Sequence, residues 1–204
     1  MTADSSTLAR RPHCATCALP LRTCLCALVA RVRNEVEVLV LQHPHEAHEA
    51  KGSARLLRLS LARCRVVVGE RFEPEALRGL LGGDVSGSML LYPMDTVTGI
   101  AAASAGVRPT RLVVLDGTWR KSLRMLHANP LLQSLPRWSL PATAMPPRYR
   151  ALRKARLATQ LSTLEATCIA LADIEAATTR YAPLLAAFER FIDDRASRAR
   201  VGAT

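Results

Sequence analysis

The sequence predicts an α/β fold with a mostly parallel sheet flanked by helices and a small cysteine-rich segment near the N-terminus. Short, continuously apolar runs of strand length alternate along the chain with segments of helical spacing. Strands that are covered by helices on both faces have such runs, and they are typical of parallel sheets. With 204 residues, 49% of them hydrophobic, the chain can form one domain with a substantial core.

Four strands are expected, each an apolar run that ends at a polar or rigid residue. Residues 35–41 first alternate and then become continuously apolar, as a half-buried strand entering a sheet does. Residues 64–69 form the second run. Residues 88–93 form the third, which Pro93 ends, and residues 111–116 form the fourth.

Helices are expected wherever apolar residues recur at three- and four-residue spacing. These segments are 53–64, 74–83, the stretch from Trp119 to Asn129-Pro130, 161–180 and 182–195. Residues 41–52 are expected to be a polar loop, and the proline-rich residues 135–150 a loop or extended segment. The chain therefore divides into a disordered leader (1–12), a cysteine knuckle (13–30), an α/β domain (31–195) and a basic tail (196–204).

The charge balance favours a polyanionic partner. The chain has 28 Lys and Arg against 17 Asp and Glu, a net charge of +11. Such an excess is typical of proteins that bind nucleic acid, although a high-GC genome would also enrich Arg and Ala. No segment has the roughly 20 apolar residues of a membrane span, and the first residues lack the apolar core of a secretory signal. We expect a cytoplasmic protein with reduced cysteines and no membrane partner.

Four closely spaced cysteines predict a structural zinc site. Cys14, Cys17, Cys24 and Cys26 can enclose Zn²⁺ tetrahedrally, and the metal would order a segment that has little core of its own. His13 can replace one of the four ligands. A site with four protein ligands has no open position for a substrate, so the zinc is expected to be structural.

A histidine-containing loop follows the first strand. His43, His45, Glu46 and His48 have no compact metal-ligand spacing. The loop instead follows the carboxyl end of a strand, where α/β proteins place ligand contacts. His43 and Glu46 are therefore candidates for a substrate pocket, and a solvated loop is the alternative.

Two later segments have polar patterns, and each pattern allows two interpretations. Residues 146–156 carry five cations around an aromatic residue, which favours binding to RNA over a solvated helix face. The candidates there are Arg148, Tyr149, Arg150, Arg153 and Lys154. Residues 162–165 read Ser-Thr-Leu-Glu, which is a helix capping box whose remaining amides can also bind an anion.

The order of these motifs resembles the DTW-domain family of tRNA-uridine aminocarboxypropyltransferases. The resemblance covers residues 13–192 and rests on six motifs in order. They are the cysteine knuckle, Leu41-Gln42-His43-Pro44 with Glu46, Leu91-Tyr92-Pro93, Asp116-Gly117-Thr118-Trp119, Tyr149-Arg150 and Ser162-Thr163-Leu164-Glu165-Ala166.

The resemblance implies a reaction and a fold. The reaction moves the 3-amino-3-carboxypropyl group of S-adenosylmethionine to N3 of a tRNA uridine and releases methylthioadenosine. The partner is then tRNA, with no obligate protein partner evident. The fold is implied to be SPOUT-like, with a trefoil knot near the cofactor.

The resemblance also implies site roles. Asp116 is the candidate base, Thr118 can hydrogen-bond substrate or cofactor, and Trp119 either stacks on a base or adenine or packs through its apolar i+4 neighbour. Cofactor contacts are expected from Leu91, Tyr92, Pro93, Leu115, Asp116, Ser162, Thr163 and Glu165. RNA contacts outside residues 146–156 are expected from His43, Glu46, Arg55, Arg120, Lys121 and Arg124.

Two other functions remain open from the sequence. A SPOUT-like RNA methyltransferase would use the same cofactor and direct its methyl carbon at the nucleophile instead. A non-catalytic, zinc-containing RNA-binding protein would need neither Asp116 nor the cofactor.

Overall fold

A five-stranded parallel sheet forms the centre of the protein in a computed structural model that describes residues 12–47, 53–93, 108–140 and 161–201. The strands lie in the order β2-β1-β4-β3-β5, and every paired neighbour is parallel. They are β1 (Glu37–Gln42), β2 (Cys64–Val68), β3 (Ser88–Leu91), β4 (Arg111–Asp116) and β5 (Arg137–Trp138). The predicted α/β class and parallel sheet are confirmed.

Strand β5 lies in residues 135–150, for which the sequence predicted a loop or extended segment and no specific strand. Only Arg137 and Trp138 are in the strand, and they pair with the end of β3. A two-residue strand is too short to show alternation, and the prolines around it hide the signal.

Helices cover both faces of the sheet. They are α1 (Pro44–Ala47), α2 (Ser53–Ser60), α3 (Pro74–Leu80), α4 (Trp119–Ala128), α5 (Pro130–Gln133), α6 (Thr163–Ile174) and α7 (Ala182–Val201). The one-turn helices α1 and α5 were not predicted. Helix α7, predicted to end at Arg195, continues to Val201, so the first residues of the expected basic tail are helical. No helix in the described ranges is long and apolar enough to cross a bilayer.

The strands alternate between two cores. The side chains of Val38, Val40, Leu112 and Val114 pack in one core with residues of α2, α6 and α7. The side chains of Leu39, Leu41, Val113 and Leu115 pack in the other core with residues of α3, α4 and α5. Both faces of β1 and β4 are thus buried, which explains their continuously apolar sequences.

Glu175 anchors helix α6 at the amino edge of the sheet. Its Oε1 accepts hydrogen bonds from the backbone amides of Glu35 (2.8 Å) and Val36 (3.0 Å), directly before β1. Its Oε2 accepts from Arg180 and from the hydroxyl of Tyr181, each at 2.6 Å. A helix of this length spans about 18 Å, close to the length of a six-residue strand. Since α6 ends at the amino edge, its N-terminus lies level with the carboxyl ends of the strands.

Helix α7 runs from the same edge and packs against the cysteine knuckle. The buried Cys17, Leu19 and Leu25 belong to the same core as Phe188 and Phe191 of α7. The knuckle is therefore part of the first core and does not stand apart from the α/β domain.

Candidate functional site

Two neighbouring strands bring a carboxylate and an amide together at the carboxyl edge. Gln42 of β1 and Asp116 of β4 are paired in register, and both are buried. Gln42 Nε2 donates to Asp116 Oδ2 at 2.7 Å, and the backbone amide of His43 donates to the carbonyl of Asp116 at 2.9 Å. Asp116 Oδ1 has no hydrogen-bond donor among the described residues. The carboxylate is fixed through one oxygen, so the other can accept a proton.

The residues after Asp116 turn the chain sharply into α4. Thr118 is the N-cap of this helix, and its hydroxyl accepts from the backbone amide of Lys121 at 3.4 Å. A Cβ atom on Gly117 would lie 3.1 Å from Lys121 Cβ and 3.4 Å from Ser122 Oγ, so the close approach favours glycine here. The Thr118 oxygen caps the helix and still has its own proton to donate.

Trp119 is the outer member of an aromatic stack. Its ring lies 5.2 Å from that of Tyr92, with an interplanar angle of 16°. The guanidinium of Arg137 lies 5.3 Å from the centroid of the Tyr92 ring. Trp119 remains 59% exposed, and its i+4 neighbour Leu123 is 38% exposed. Trp119 therefore packs on Tyr92 outside the core and keeps an exposed surface, so its stacking on a base stays a prediction.

The other expected cofactor residues on strands lie at the same edge. Leu91 ends β3, and Tyr92 and Pro93 follow it. The backbone amide of Tyr92 donates to the carbonyl of Trp138 at 3.2 Å, so this amide is already paired. Leu115 is buried in the second core, and only its backbone is available to a ligand at the edge.

Ion pairs connect the histidine loop with α4. Lys121 Nζ lies 2.7 Å from Glu46 Oε1, so two residues predicted to contact RNA pair with each other. Glu70 lies between His43 Nε2 (3.3 Å) and Arg124 Nε (3.6 Å).

His43 is a buried part of the site and not a solvated loop residue. Its Nδ1 accepts from the backbone amide of His45 at 3.2 Å, so a neutral ring carries its proton on Nε2, which faces Glu70. The Nε2 proton is poorly aligned for a hydrogen bond to that carboxylate despite the short distance.

The predicted arginine contacts divide into three groups. Arg120 is exposed on α4, and Arg124 is largely exposed beside Glu70. Arg55 is partly buried and donates to the carbonyl of Ala47 at 3.4 Å. The remaining candidates, Arg148, Tyr149, Arg150, Arg153 and Lys154, lie outside the described residues.

The capping box predicted from the sequence is present at the start of α6. Glu165 Oε2 accepts from the amide of Ser162 at 2.8 Å, and Ser162 Oγ accepts from the amide of Glu165 at 3.2 Å. The amides of Thr163 and Leu164 are in the first turn and have no acceptor within the helix. They lie level with Asp116, since α6 ends at the opposite edge.

The four knuckle cysteines have the arrangement that a tetrahedral metal requires. All four sulfurs lie within 4.8 Å of one another, with Cys14–Cys26 at 3.6 Å and Cys17–Cys24 at 3.7 Å. Zn–S bonds of about 2.3 Å give tetrahedral sulfur–sulfur edges of about 3.8 Å, far longer than a disulfide bond. The four thiols therefore fit a closed zinc site.

The thiols also differ in how readily they ionise. Hydrogen bonds from the backbone of Cys17 and Thr16 lower the pKa of the Cys14 thiol to about 6. Burial and the neighbouring Cys14 raise the pKa of Cys26 to about 12. A cation among the four sulfurs would favour the thiolate form of each, since thiolates are the zinc ligands.

Three functional candidates were missed or passed over from the sequence. Gln42 lies in a quoted motif, but its contact with Asp116 depends on strand register. Glu70 follows β2 by two residues, and its position after a strand end was the available signal. Arg137 was placed in a loop, and no sequence signal connects it with Tyr92.

Comparisons with known proteins give one consistent result. The DTW domain family model matches residues 11–196. tRNA-uridine aminocarboxypropyltransferase 2 of Mus musculus is 30% identical over 175 residues, which cover 81% of this chain and 57% of that protein. The Macaca fascicularis protein of the same name is 28% identical over 173 residues, again 81% of this chain and 57% of that protein.

A plant relative is more distant. tRNA-uridine aminocarboxypropyltransferase A of Arabidopsis thaliana is 23% identical over 140 residues, covering 60% of this chain and 53% of that protein. The chain thus spans somewhat over half the length of the curated relatives that it matches. No solved structure has significant similarity to it. Because the family model covers nearly all of its sequence, the chain belongs to the DTW domain family.

Proposed function

We propose that this protein is a tRNA-uridine aminocarboxypropyltransferase. It transfers the 3-amino-3-carboxypropyl group of S-adenosylmethionine to N3 of a uridine in tRNA. The names of the animal and plant relatives support the reaction class. The observation that carries the proposal is the Asp116 carboxylate, held by Gln42 through Oδ2 while Oδ1 has no donor among the described residues.

The chemistry requires a base and a defined approach. Uridine N3 attacks the terminal methylene carbon of the aminocarboxypropyl group, and the bond from that carbon to sulfur breaks. The bonding electrons go to sulfur, which leaves as methylthioadenosine. The N3 proton passes to a base, and Asp116 Oδ1 has this role in the proposal. If the terminal methylene carbon of the aminocarboxypropyl group is held in line with N3, N3 reacts with that carbon and not with the methyl carbon of the same sulfonium.

The cofactor would bind along the carboxyl edge. Amides of Thr163 and Leu164 at the start of α6 suit the α-carboxylate of S-adenosylmethionine, since a helix N-terminus favours negative charge. Leu91, Pro93 and the backbone of Leu115 suit an adenine ring. Thr118 retains a proton for hydrogen bonding to the ligand.

The aromatic stack suits the uridine. Trp119 is largely exposed and is supported underneath by Tyr92, which lies over Arg137. A target base moved out of the RNA can stack on such a rigid surface. Arg120, Lys121 and Arg124 follow Trp119 on α4 and would contact the backbone phosphates, while His43 and Glu46 would contact the ribose or base.

Four finer points belong to the same proposal. The cysteine knuckle holds a structural Zn²⁺, which its sulfur geometry supports. The domain is SPOUT-like with a trefoil knot, which the family resemblance implies; the parallel sheet supports only the α/β class. The protein acts in the cytoplasm. Residues 148–154 provide further RNA contacts.

The test is mass spectrometry of tRNA nucleosides after incubation of the protein with S-adenosylmethionine and an unmodified tRNA transcript. Aminocarboxypropyluridine and an equal amount of methylthioadenosine are expected. Asp116→Asn should lower kcat about a hundred- to ten-thousandfold. Methyluridine with S-adenosylhomocysteine would instead establish a methyltransferase, and tRNA binding without either product would establish a non-catalytic binding protein.

A further inference from the structure

We infer that Arg22, Arg55, Arg195 and Arg198, here called the arginine surface, bind backbone phosphates of the tRNA outside the reaction site. The inference rests on the proposed function, which provides the RNA. It extends that function because the surface joins the knuckle, α2 and the end of α7, none of which forms the Asp116 site.

The end of α7 meets the knuckle directly. Arg198 donates a hydrogen bond from Nη1 to the backbone carbonyl of Arg22. Arg22 is exposed on the first 3-10 turn of the knuckle, Leu21–Thr23, so its side chain is available to a partner. The contact holds two arginines from distant parts of the sequence next to each other.

Arg195 joins this group to α2. Its guanidinium lies 4.5 Å from the centroid of the Phe191 ring, which holds it in place. The pKa of Arg195 is lowered, first by partial burial and then by the positive charges of Arg198 and Arg55. Helices α2 and α7 also contact each other, so Arg195 lies between the like charges of Arg55 and Arg198.

No carboxylate among the described residues offsets this repulsion. None of the four guanidinium groups there lies within ion-pair distance of a carboxylate. Other arginines of the fold are paired, as Arg111 is with Glu37 at 2.7 Å and Arg180 with Glu175 at 2.6 Å. Like charges brought together without counter-charges are stabilised when a polyanion binds, and this favours phosphates as the ligand.

The position of the surface suits a substrate that is larger than one nucleotide. Arg195 lies thirteen residues into α7, which places it about 20 Å from the amino edge where the helix starts. Arg55 lies at the start of α2 and contacts Ala47 of α1, which follows β1 directly. Arg55 thus brings the arginine surface next to the helix that leaves the carboxyl edge, so an RNA chain can contact it while its uridine is at Asp116.

The experiment compares two double variants with equal loss of charge. Arg195→Gln/Arg198→Gln removes two cations from the arginine surface. Arg65→Gln/Arg78→Gln is the matched control, because these exposed arginines lie on β2 and α3, away from α7. Binding of a full-length unmodified tRNA transcript is measured by fluorescence anisotropy over a series of salt concentrations.

Arg195→Gln/Arg198→Gln should bind tRNA about tenfold more weakly, or worse, at moderate salt. The plot of log K against log salt concentration should also become less steep, with its negative slope smaller in magnitude by about 1.5. Its affinity for S-adenosylmethionine, measured by calorimetry, should equal that of the wild type. The control should retain wild-type tRNA affinity and slope. Equal tRNA binding by the two double variants would overturn the inference, as would a wild type that fails to bind tRNA.

If Arg195→Gln/Arg198→Gln is unstable, the single variant Arg22→Gln tests the inference instead. Arg22→Gln changes only an exposed side chain. It should make the negative slope of log K against log salt concentration smaller in magnitude by somewhat under one unit. An unchanged slope in folded Arg22→Gln would then overturn the inference. A wild type that binds tRNA with the expected slopes but forms no aminocarboxypropyl product would refute the proposed reaction and leave the surface standing.

Discussion

Replacing Gln42 tests whether Asp116 acts as the base in the geometry described. In Gln42→Leu the 2.7 Å hydrogen bond to Asp116 Oδ2 is lost, and a leucine of similar length fills the space. The buried carboxylate then lacks its donor and is free to rotate, so its second oxygen is no longer held in one position. Hydrogen bonds to charged groups are worth about 1.5–3 kcal/mol.

That loss corresponds to a fall of about ten- to a hundredfold in kcat at neutral pH, since each 1.36 kcal/mol is a factor of ten. The KM for S-adenosylmethionine should change little, because Gln42 is not one of the proposed cofactor contacts. The assay follows methylthioadenosine release under saturating tRNA at neutral pH.

Two further variants are compared with Gln42→Leu. Gln133→Leu removes a similar amide, which donates to the carbonyl of His127 on the far side of α4, and should leave kcat unchanged. Gln42→Glu replaces the amide donor with a second carboxyl group beside Asp116, so kcat should fall at least as far as in Gln42→Leu. A folded Gln42→Leu protein with the wild-type kcat would refute the reasoning.

Three other variants test the knuckle, the fold and the aromatic stack. Cys14→Ser should lose stoichiometric zinc and lower Tm, and unchanged metal content in a chromogenic chelator assay would disprove the site. Glu175→Gln should lower the free energy of unfolding by about 3 kcal/mol in urea titrations, because Glu35, Val36 and Tyr181 lose a charged acceptor; an unchanged midpoint would contradict its anchoring role. Trp119→Ala should raise the KM for tRNA about ten- to a hundredfold, with Trp119→Phe close to wild type, as stacking on a base is worth about 1–3 kcal/mol. Equal KM values for the two Trp119 variants would exclude stacking.

The sheet was predictable because burial on both faces leaves a strong sequence signal. Residues 111–116 and 37–42 are apolar almost throughout, and only a strand covered by helices on both sides requires that composition. The fifth strand and the short helices α1 and α5 were missed for the opposite reason. Their few residues are held by neighbours, such as the amide of Leu90 that donates to Pro136, and leave no periodic pattern.

Helical periodicity did not show how exposed Trp119 is. Spacing shows which residues share a face of α4, but it does not show where along the helix the sheet stops covering that face. Leu126, two turns into the helix, is buried, whereas Trp119 and Leu123 are exposed. The same reasoning explains why Glu46 and Lys121, each predicted to contact RNA, pair with each other: the sequence showed two charges and not their distance.

The carboxyl edge forms a site because β1 and β4 are paired in one particular register. Gln42 pairs with Asp116, and a slip of one residue between β1 and β4 would move the amide of Gln42 to the other face of the sheet. The apolar residues that precede them fix this register, since Val40 and Val114 must face the first core while Leu41 and Leu115 face the second. The same alternation that buries the strands therefore delivers the carboxylate with its donor. The sequence of β4 alone could indicate Asp116 as the base, but only the packing of both strands determines which of its oxygens is left to accept a proton.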